Sequence, residues 1–197
     1  MSQQWIRKAN LVVHAGGQGL DLSDLHFRFR TVQSDFEGPN TCEIRLYNLA
    51  TSTISRLREF TQVVLQAGYE SNYGVIFSGT LLQYRIGRES PTNTYVDLLV
   101  ADGDIAYNFA TVSTTLAAGS SSKERLDAVI GSMGPHGVAP GYAPAQPTGG
   151  VLPRGKVLFG MSRDFMRDWV RGEKCAWNIN DGKVNVVPLD SYLPGQA

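Results

Sequence analysis

The chain contains three histidines, the residue type best suited to proton transfer or metal binding near neutral pH: His14, His26 and His136. No two of them show the i, i+4 spacing that places a pair of zinc ligands on one helix face. A histidine without a suitably spaced partner is more often packed or solvated than catalytic. We therefore predict no catalytic or metal-binding role for these histidines.

Two glycine-containing motifs resemble the start of ligand-binding loops, but both are incomplete. Asp102-Gly103-Asp104 matches the beginning of an EF-hand loop, which also requires an oxygen ligand at its fifth position and a glutamate at its twelfth. This chain has Ala106 and Ser113 at those positions. Gly16-Gly17-Gln18-Gly19 lacks the lysine of a phosphate-binding loop and the glycine spacing of a dinucleotide site. We interpret the first motif as a turn that ends a strand, and we predict no cofactor for the second.

The serines and carboxylates form no catalytic pattern either. No serine lies in the Gly-x-Ser-x-Gly sequence of a nucleophile elbow. The acidic residues are scattered, and the sequence identifies no facing pair of the kind that a glycosidase requires. We therefore predict that the protein is not an enzyme and has no catalytic, cofactor-binding or metal-binding residues.

Composition restricts the class of partner. Eighteen basic residues balance 18 acidic ones, so there is no overall positive charge to favour specific nucleic-acid binding. Charged residues make up 18% of the chain, below the usual share of about a quarter, which indicates that more surface than usual contacts other subunits. No apolar run has the length of a membrane span, and the N-terminus lacks the pattern of a signal peptide.

The cysteines and tryptophans of the chain are predicted to be structural. Cys42 and Cys175 are too few and too far apart for a disulfide framework or a zinc site, so we expect two buried, reduced thiols in a cytoplasmic protein. Trp169 lies on the apolar stripe of a predicted helix, and Trp177 lies on one face of a predicted strand. We expect both indoles in the core of the second half of the chain.

Alternation of apolar and polar residues predicts strands through the first half of the chain. In His26–Arg30 the phenylalanines share one face and the arginines the other, and Cys42–Leu46 alternates in the same way. Further strands are predicted at 11–13, 62–67, 75–86 and 95–101, separated by turn-forming residues. A short helix is predicted between the strands at 50–58, with Thr51 or Ser52 as its N-cap.

The second half predicts two helices, a long arm and a hairpin. Ser121–Glu124 has the spacing of a capping box, and apolar residues then recur with helical spacing as far as Met133. The segment Gly134–Gly155 contains five of the nine prolines, which predicts an irregular arm. A second helix is predicted from Ser162 to Gly172, and two strands joined by Asn180-Asp181-Gly182 follow it as a hairpin.

The order of several sequence segments resembles the baseplate hub proteins of contractile-tailed bacteriophages. These segments are Glu43–Leu49 followed by a short helix, Val63–Tyr69, Ile76–Leu81, and Val96–Gly103. The stretch Gly155–Gly160, with its helix and hairpin, is similar to the second domain of such hubs. The resemblance covers most of the chain, and it depends on the order of the segments because each one alone is unspecific.

The resemblance implies an α+β fold that is mainly β. A tail-tube-like β-barrel domain is expected at residues 1–103, and a smaller α/β domain at 104–197 with the Gly/Pro-rich arm at 134–155. Hubs of this kind are longer than this chain, so we expect either a compact hub or a fragment that lacks a C-terminal region and its spike-binding surface.

The resemblance also implies a structural role in the virion. Such hubs self-associate into a ring, commonly a trimer that mimics a hexamer, and they join the tail tube to the central spike. The implied partners are therefore further copies of the chain, the tail tube protein, the spike protein and baseplate wedge proteins. No membrane and no specific nucleic acid are expected. The implied location is the tail baseplate of the virion, after assembly in the host cytoplasm.

Three other functions stay open on the sequence. One is a tail tube or distal tail protein that forms a hexameric ring. Another is a tail-associated cell-wall hydrolase, with the arm 134–155 acting as a lid. The third is a module that binds a sugar or another small ligand in the mouth of a barrel.

Overall fold

The computed structural model describes residues 6–145 and 147–193, and these residues form two compact units. The first unit contains the chain up to Gln33 together with Asn40–Asp102. The second contains Ser34–Pro39 and the chain from Gly103 onward. The short segment Ser34–Pro39 therefore belongs to the second unit, although in sequence it interrupts the first.

The first unit is a single antiparallel sheet of seven strands in the order β2-β1-β5-β6-β7-β4-β3, with a short helix. Its elements are β1 (Arg7–Ala15), β2 (Gln18–Asp21), β3 (Phe27–Val32), β4 (Asn40–Tyr47), α1 (Thr51–Arg56), β5 (Gln62–Tyr69), β6 (Asn72–Arg88) and β7 (Thr94–Asp102). A single 3-10 turn, Leu57–Glu59, follows α1.

The structure does not show the closed barrel that was predicted for this unit. The edge strands β2 and β3 are not paired with each other in the described part of the chain. The sheet still encloses one apolar core, because alternate side chains of β1, β4, β5 and β7 and Phe77 of β6 are buried together. Alternation in the sequence identifies the strands and their buried faces, but it carries no information on which edges pair.

Two local features of the first unit were not predicted. Gly16 and Gly17 form the turn between β1 and β2, with φ of +56° and +85°. Positive φ at both central residues is the geometry of a tight hairpin turn, which glycine adopts without strain. Helix α1 begins after Ala50, which makes no side-chain cap, so Thr51 is the first helical residue and not its cap.

The second unit combines two longer helices and one short one with two small sheets, in the strand orders β10-β8 and β11-β12-β9. Its elements are α2 (Asp104–Phe109), β8 (Thr111–Leu116), α3 (Ser122–Met133), a 3-10 turn (Gly134–His136), β9 (Ala139–Pro140), β10 (Lys156–Met161), α4 (Ser162–Glu173), β11 (Cys175–Asn180) and β12 (Lys183–Pro188). Together the two units confirm a mainly β protein of the α+β class.

The predicted local signals of the second unit are largely confirmed. Ser121 and Glu124 form a reciprocal capping box at the start of α3. The β11–β12 hairpin turns at Asp181 and Gly182, both with positive φ. Helix α4 extends one residue past its predicted end at Gly172. It ends at Glu173, because the next residue, Lys174, adopts the left-handed conformation with φ of +53°.

The indoles and thiols are buried, as predicted. Trp169 is 8% exposed and its Nε1 donates to the Ser122 carbonyl at 2.9 Å. Trp177 is 2% exposed and stacks on Tyr107 with ring centroids 6.0 Å apart. Cys42 and Cys175 are both free and buried. Burial raises the pKa of the Cys42 thiol to about 12, so it is protonated at neutral pH.

The arm 134–155 contains the 3-10 turn Gly134–His136 and the short strand β9, and it is hydrogen-bonded to its own unit. The two residues of β9 pair in parallel with β12, and Val186 N donates to the Tyr142 carbonyl at 2.7 Å. Further along, Leu152 N donates to the Ser120 carbonyl at 2.9 Å. These bonds satisfy backbone groups that a free loop would leave to water.

Candidate functional site

Strand β3 presents an unpaired backbone edge. Its only strand partner in the described residues is β4. The His26 carbonyl accepts from Tyr47 N at 3.0 Å, so the even-numbered residues of this register form the hydrogen-bonded pairs with β4. The N–H and C=O groups of Phe27, Phe29 and Thr31 consequently point away from β4. They offer an added strand three donors and three acceptors.

A groove of about 370 Å³ lies across β3, β4, β7 and β6, beside this edge. The charged residues that line it are Arg28, Arg30, Glu43, Arg45, Arg85 and Asp97. Four guanidinium groups therefore share the groove with two carboxylates, although the chain as a whole is neutral. The strand register aligns Arg28, Arg45, Asp97 and Arg85 in one row across the four strands.

Arg45, at the centre of this row, is fully occupied by its neighbours. Its Nε and Nη2 donate to the two oxygens of Asp97 at 2.6 and 2.8 Å, a bidentate pair. Its guanidinium carbon also lies 3.8 Å from the centroid of the Tyr95 ring. The hydrogen bonds with Asp97 raise the pKa of Arg45 above its usual range. Both oxygens of the Asp97 carboxylate therefore accept hydrogen bonds from Arg45.

The other three arginines of the groove form no ion pair with a carboxylate of the described chain. Arg28 lies 5.9 Å from the Tyr47 ring centroid, and Arg85 donates to Gln83 at 3.2 Å. Arg30 lies opposite Glu43 in the register, but their charged groups form no ion pair. The groove therefore has three positive charges available to an anionic partner, two of them on the edge strand β3.

The second unit exposes apolar side chains on the β8–β10 sheet. Val157 is 67% exposed and Phe159 is 80% exposed, and the two lie on the same face of β10. Their cross-strand neighbours on β8 are Thr115 and Ser113. Neighbouring exposed apolar groups of this kind are typical of surfaces that contact another protein.

Glu173, at the end of α4, anchors the arm. Its carboxylate accepts from Thr148 Oγ1 at 3.0 Å, from Gly149 N at 2.8 Å and from the Ser122 hydroxyl. Burial raises the pKa of Glu173, but these hydrogen bonds together outweigh burial, and the pKa lies below its ordinary value. A Cβ at Gly149 would lie 2.1 Å from the Glu173 carboxylate, so any other residue there would require the Glu173 side chain to shift.

Glu37 connects the segment Ser34–Pro39 to helix α4 within the second unit. Its Oε1 lies 2.6 Å from Arg167 Nη2 and 2.8 Å from Nε, and Arg167 Nη1 also bonds Asp164 at 3.0 Å. The hydrogen bonds from Arg167 lower the pKa of Glu37. This network is structural, because its charges satisfy one another.

The residues first considered for chemistry are not brought together. His14 lies on β1, His26 stacks on Tyr47 with centroids 4.9 Å apart, and His136 lies in the 3-10 turn after α3. Asp102 ends β7, and Asp104 is the first residue of α2, which differs from the predicted simple turn. Within residues 6–145 and 147–193, no three His, Cys, Asp or Glu side chains form a group that could hold a metal.

The arginine groove was missed by the sequence analysis. The alternation of Arg28 and Arg30 was visible in the sequence, but their proximity to Arg85 depends on the pairing of four strands.

No helix of the described chain is both long and apolar enough to cross a membrane.

The fold is one found among phage tail proteins. The chain is similar to the 43 kDa tail protein of prophage MuSo2 from Shewanella oneidensis, with a TM-score of 0.60 at 7% identity over 90% of this chain and 54% of that one. It is also similar to the tail protein from Neisseria meningitidis MC58, with a TM-score of 0.60 at 10% identity over 94% of this chain and 52% of that one.

These similarities concern the fold, since the identities are low. The chain spans about half the length of the two tail proteins. No protein-family model and no curated protein matches the chain in sequence.

Proposed function

We propose that the protein is a structural subunit of a phage tail, acting as a baseplate hub that forms a ring between the tail tube and the central spike. The observation that carries the proposal is the similarity to two tail proteins over 90% and 94% of the chain. Because the similar region covers at least 90% of this chain, it includes both compact units and not only the seven-stranded sheet.

Two surface features support a role in assembly. The edge strands β2 and β3 are unpaired with each other, and free strand edges are sites of strand addition between proteins. Val157 and Phe159 form an exposed apolar face in the second unit. Both features are liabilities in an isolated molecule, and contact with neighbouring subunits would remove them.

The proposal includes the partners and the location. The ring is a trimer that contacts the tail tube protein, the spike protein and baseplate wedge proteins. It has no membrane partner and no specific nucleic-acid ligand, and it performs no catalysis. Its place is the virion baseplate, after assembly in the host cytoplasm.

Light scattering after size exclusion, across a concentration series, tests the proposal. A hub predicts a discrete mass of three 21.5 kDa chains. A discrete mass of six chains would replace the hub with a tail tube or distal tail protein. Release of fragments from purified cell walls would contradict the non-enzymatic role and favour the hydrolase alternative.

A further inference from the structure

We infer that the free edge of β3 binds an extended acidic segment of a partner protein, which adds to the sheet as a strand and places its carboxylates in the arginine groove. This inference rests on the proposed assembly role and deepens it, because it specifies the chemistry of one partner contact. The groove and the edge are adjacent, so one extended segment satisfies both.

The backbone of β3 supplies the docking geometry. The N–H and C=O groups of Phe27, Phe29 and Thr31 point away from β4 and have the alternation that an antiparallel or parallel strand requires. Strand addition uses these main-chain groups for affinity and leaves specificity to the side chains. The free edge therefore determines the conformation of the segment, and the flanking side chains determine its sequence.

The charges determine one face of the segment. Arg28 and Arg30 lie two residues apart on the groove face of β3, and neither is paired with a carboxylate. Alternate residues of any strand are about 6.8 Å apart, so an added strand matches this spacing with acidic residues at i and i+2. Guanidinium groups bind carboxylates through two parallel hydrogen bonds, which makes such pairs specific in geometry.

The opposite face of the segment is predicted to be apolar. Phe29 points to the face of β3 that also carries Phe27, and it is 39% exposed at the sheet edge. A neighbouring strand would cover this ring with its own alternate side chains. The expected sequence of the segment is therefore an alternation of acidic and apolar residues.

Nucleic acid fits the same surface less well. The charges of the groove do not separate the two classes of partner, because Glu43 would repel a phosphate and a peptide carboxylate alike. A phosphate backbone has no donors for the outward-pointing carbonyls of β3, whereas an extended peptide has them. The free strand edge therefore favours a peptide.

The test uses a fluorescent peptide of alternating glutamate and valine, and a matched peptide with glutamine in place of glutamate. Peptide is titrated with the full chain at low salt, and binding is followed by anisotropy. We expect the glutamate peptide to bind at least about ten-fold more tightly, because each paired carboxylate gains a charge-assisted bond. The double variant R28Q/R30Q should abolish this preference. Arg88→Gln, an exposed arginine of β6 outside the groove, should change it by less than about two-fold.

A second pair of variants tests the strand geometry. Thr31→Pro removes an N–H that points away from β4, so β3–β4 pairing is retained while strand addition is blocked. We expect Thr31→Pro to abolish peptide binding and Thr31→Val to retain it. Binding that survives Thr31→Pro would overturn strand addition.

Other outcomes would overturn the inference as a whole. These are equal binding of the two peptides, no binding of either, or tighter binding of a single-stranded oligonucleotide that R28Q/R30Q abolishes. The inference and the proposed function can fail separately, because peptide anisotropy tests the first and the mass of the assembled chains tests the second. A trimer without peptide binding would retain the hub and reject the acidic segment.

Discussion

Replacement of Gly103 by alanine is expected to destabilise the second unit strongly. Gly103 has φ of +70° at the start of α2, a conformation that L-residues adopt at a cost. A Cβ at this position would lie 2.4 Å from Cγ2 of Ile179 and 3.0 Å from its Cδ1. Ile179 has no exposed surface, so it cannot move aside without displacing the core around it.

The magnitude combines three contributions. The left-handed conformation costs a non-glycine residue about 1–2 kcal/mol. Overpacking of the rigid core adds about 1–3 kcal/mol. Alanine also reduces the conformational entropy of the unfolded chain, which stabilises the folded state by about 0.4–1 kcal/mol and offsets part of these costs. The free energy of unfolding should therefore fall by about 1–5 kcal/mol in Gly103→Ala, with the middle of these ranges at about 3 kcal/mol.

Gly119→Ala is the matched control. Gly119 also has a positive φ, +88°, but a Cβ there meets no atom within 4 Å, so its cost is about 1 kcal/mol from the backbone alone. Urea unfolding followed by tryptophan fluorescence measures both, since Trp169 and Trp177 lie in the core of this unit. When Ile179 is also replaced by alanine, Gly103→Ala should destabilise the unit no more than Gly119→Ala does, because the clash with the Ile179 side chain is removed. Equal destabilisation by the two glycine substitutions would refute the packing argument.

Two further predictions concern titratable groups. The pKa of Glu173 is lowered overall, because hydrogen bonds from Ser122 and Gly149 outweigh its burial. A lowered carboxyl pKa stabilises the fold above the ordinary value of 4.5, and the contribution disappears as the pH falls through the folded-state pKa. Glu173→Gln should thus be less stable than the native chain at neutral pH and equally stable in acid, and a pH-independent difference in urea unfolding would contradict this. Burial raises the pKa of Cys42 to about 12 and also raises that of Cys175, so Ellman's reagent should label both only upon unfolding, and rapid labelling of the folded chain would contradict their burial.

The features that the sequence predicted well are those determined by neighbouring residues. The capping box at Ser121 and the hairpin turn at Asp181-Gly182 depend on contacts within a few positions, and both are present. The strand at β2 was missed because its four residues follow two glycines that were considered only for ligand binding. Short elements of this kind carry too few residues for a periodic pattern.

The candidate site was beyond sequence analysis because it depends on pairing between distant strands. Arg28 and Arg85 are brought into one row by the β3–β4, β4–β7 and β7–β6 registers, and no local pattern specifies those registers. The unpaired edges of β2 and β3 also depend on the arrangement of distant strands. Whether β2 meets β3 depends on the curvature of the whole sheet, which individual strand sequences do not encode.

Native mass spectrometry of the purified chain tests the proposed ring most directly, because it counts subunits in each assembly. A head-to-tail contact that closes gives one discrete size, whereas a contact that does not close gives an open series. We predict a dominant species of three 21.5 kDa chains whose share rises with concentration. Ions of a single chain at every concentration, or a ladder of sizes without a closed species, would contradict the hub.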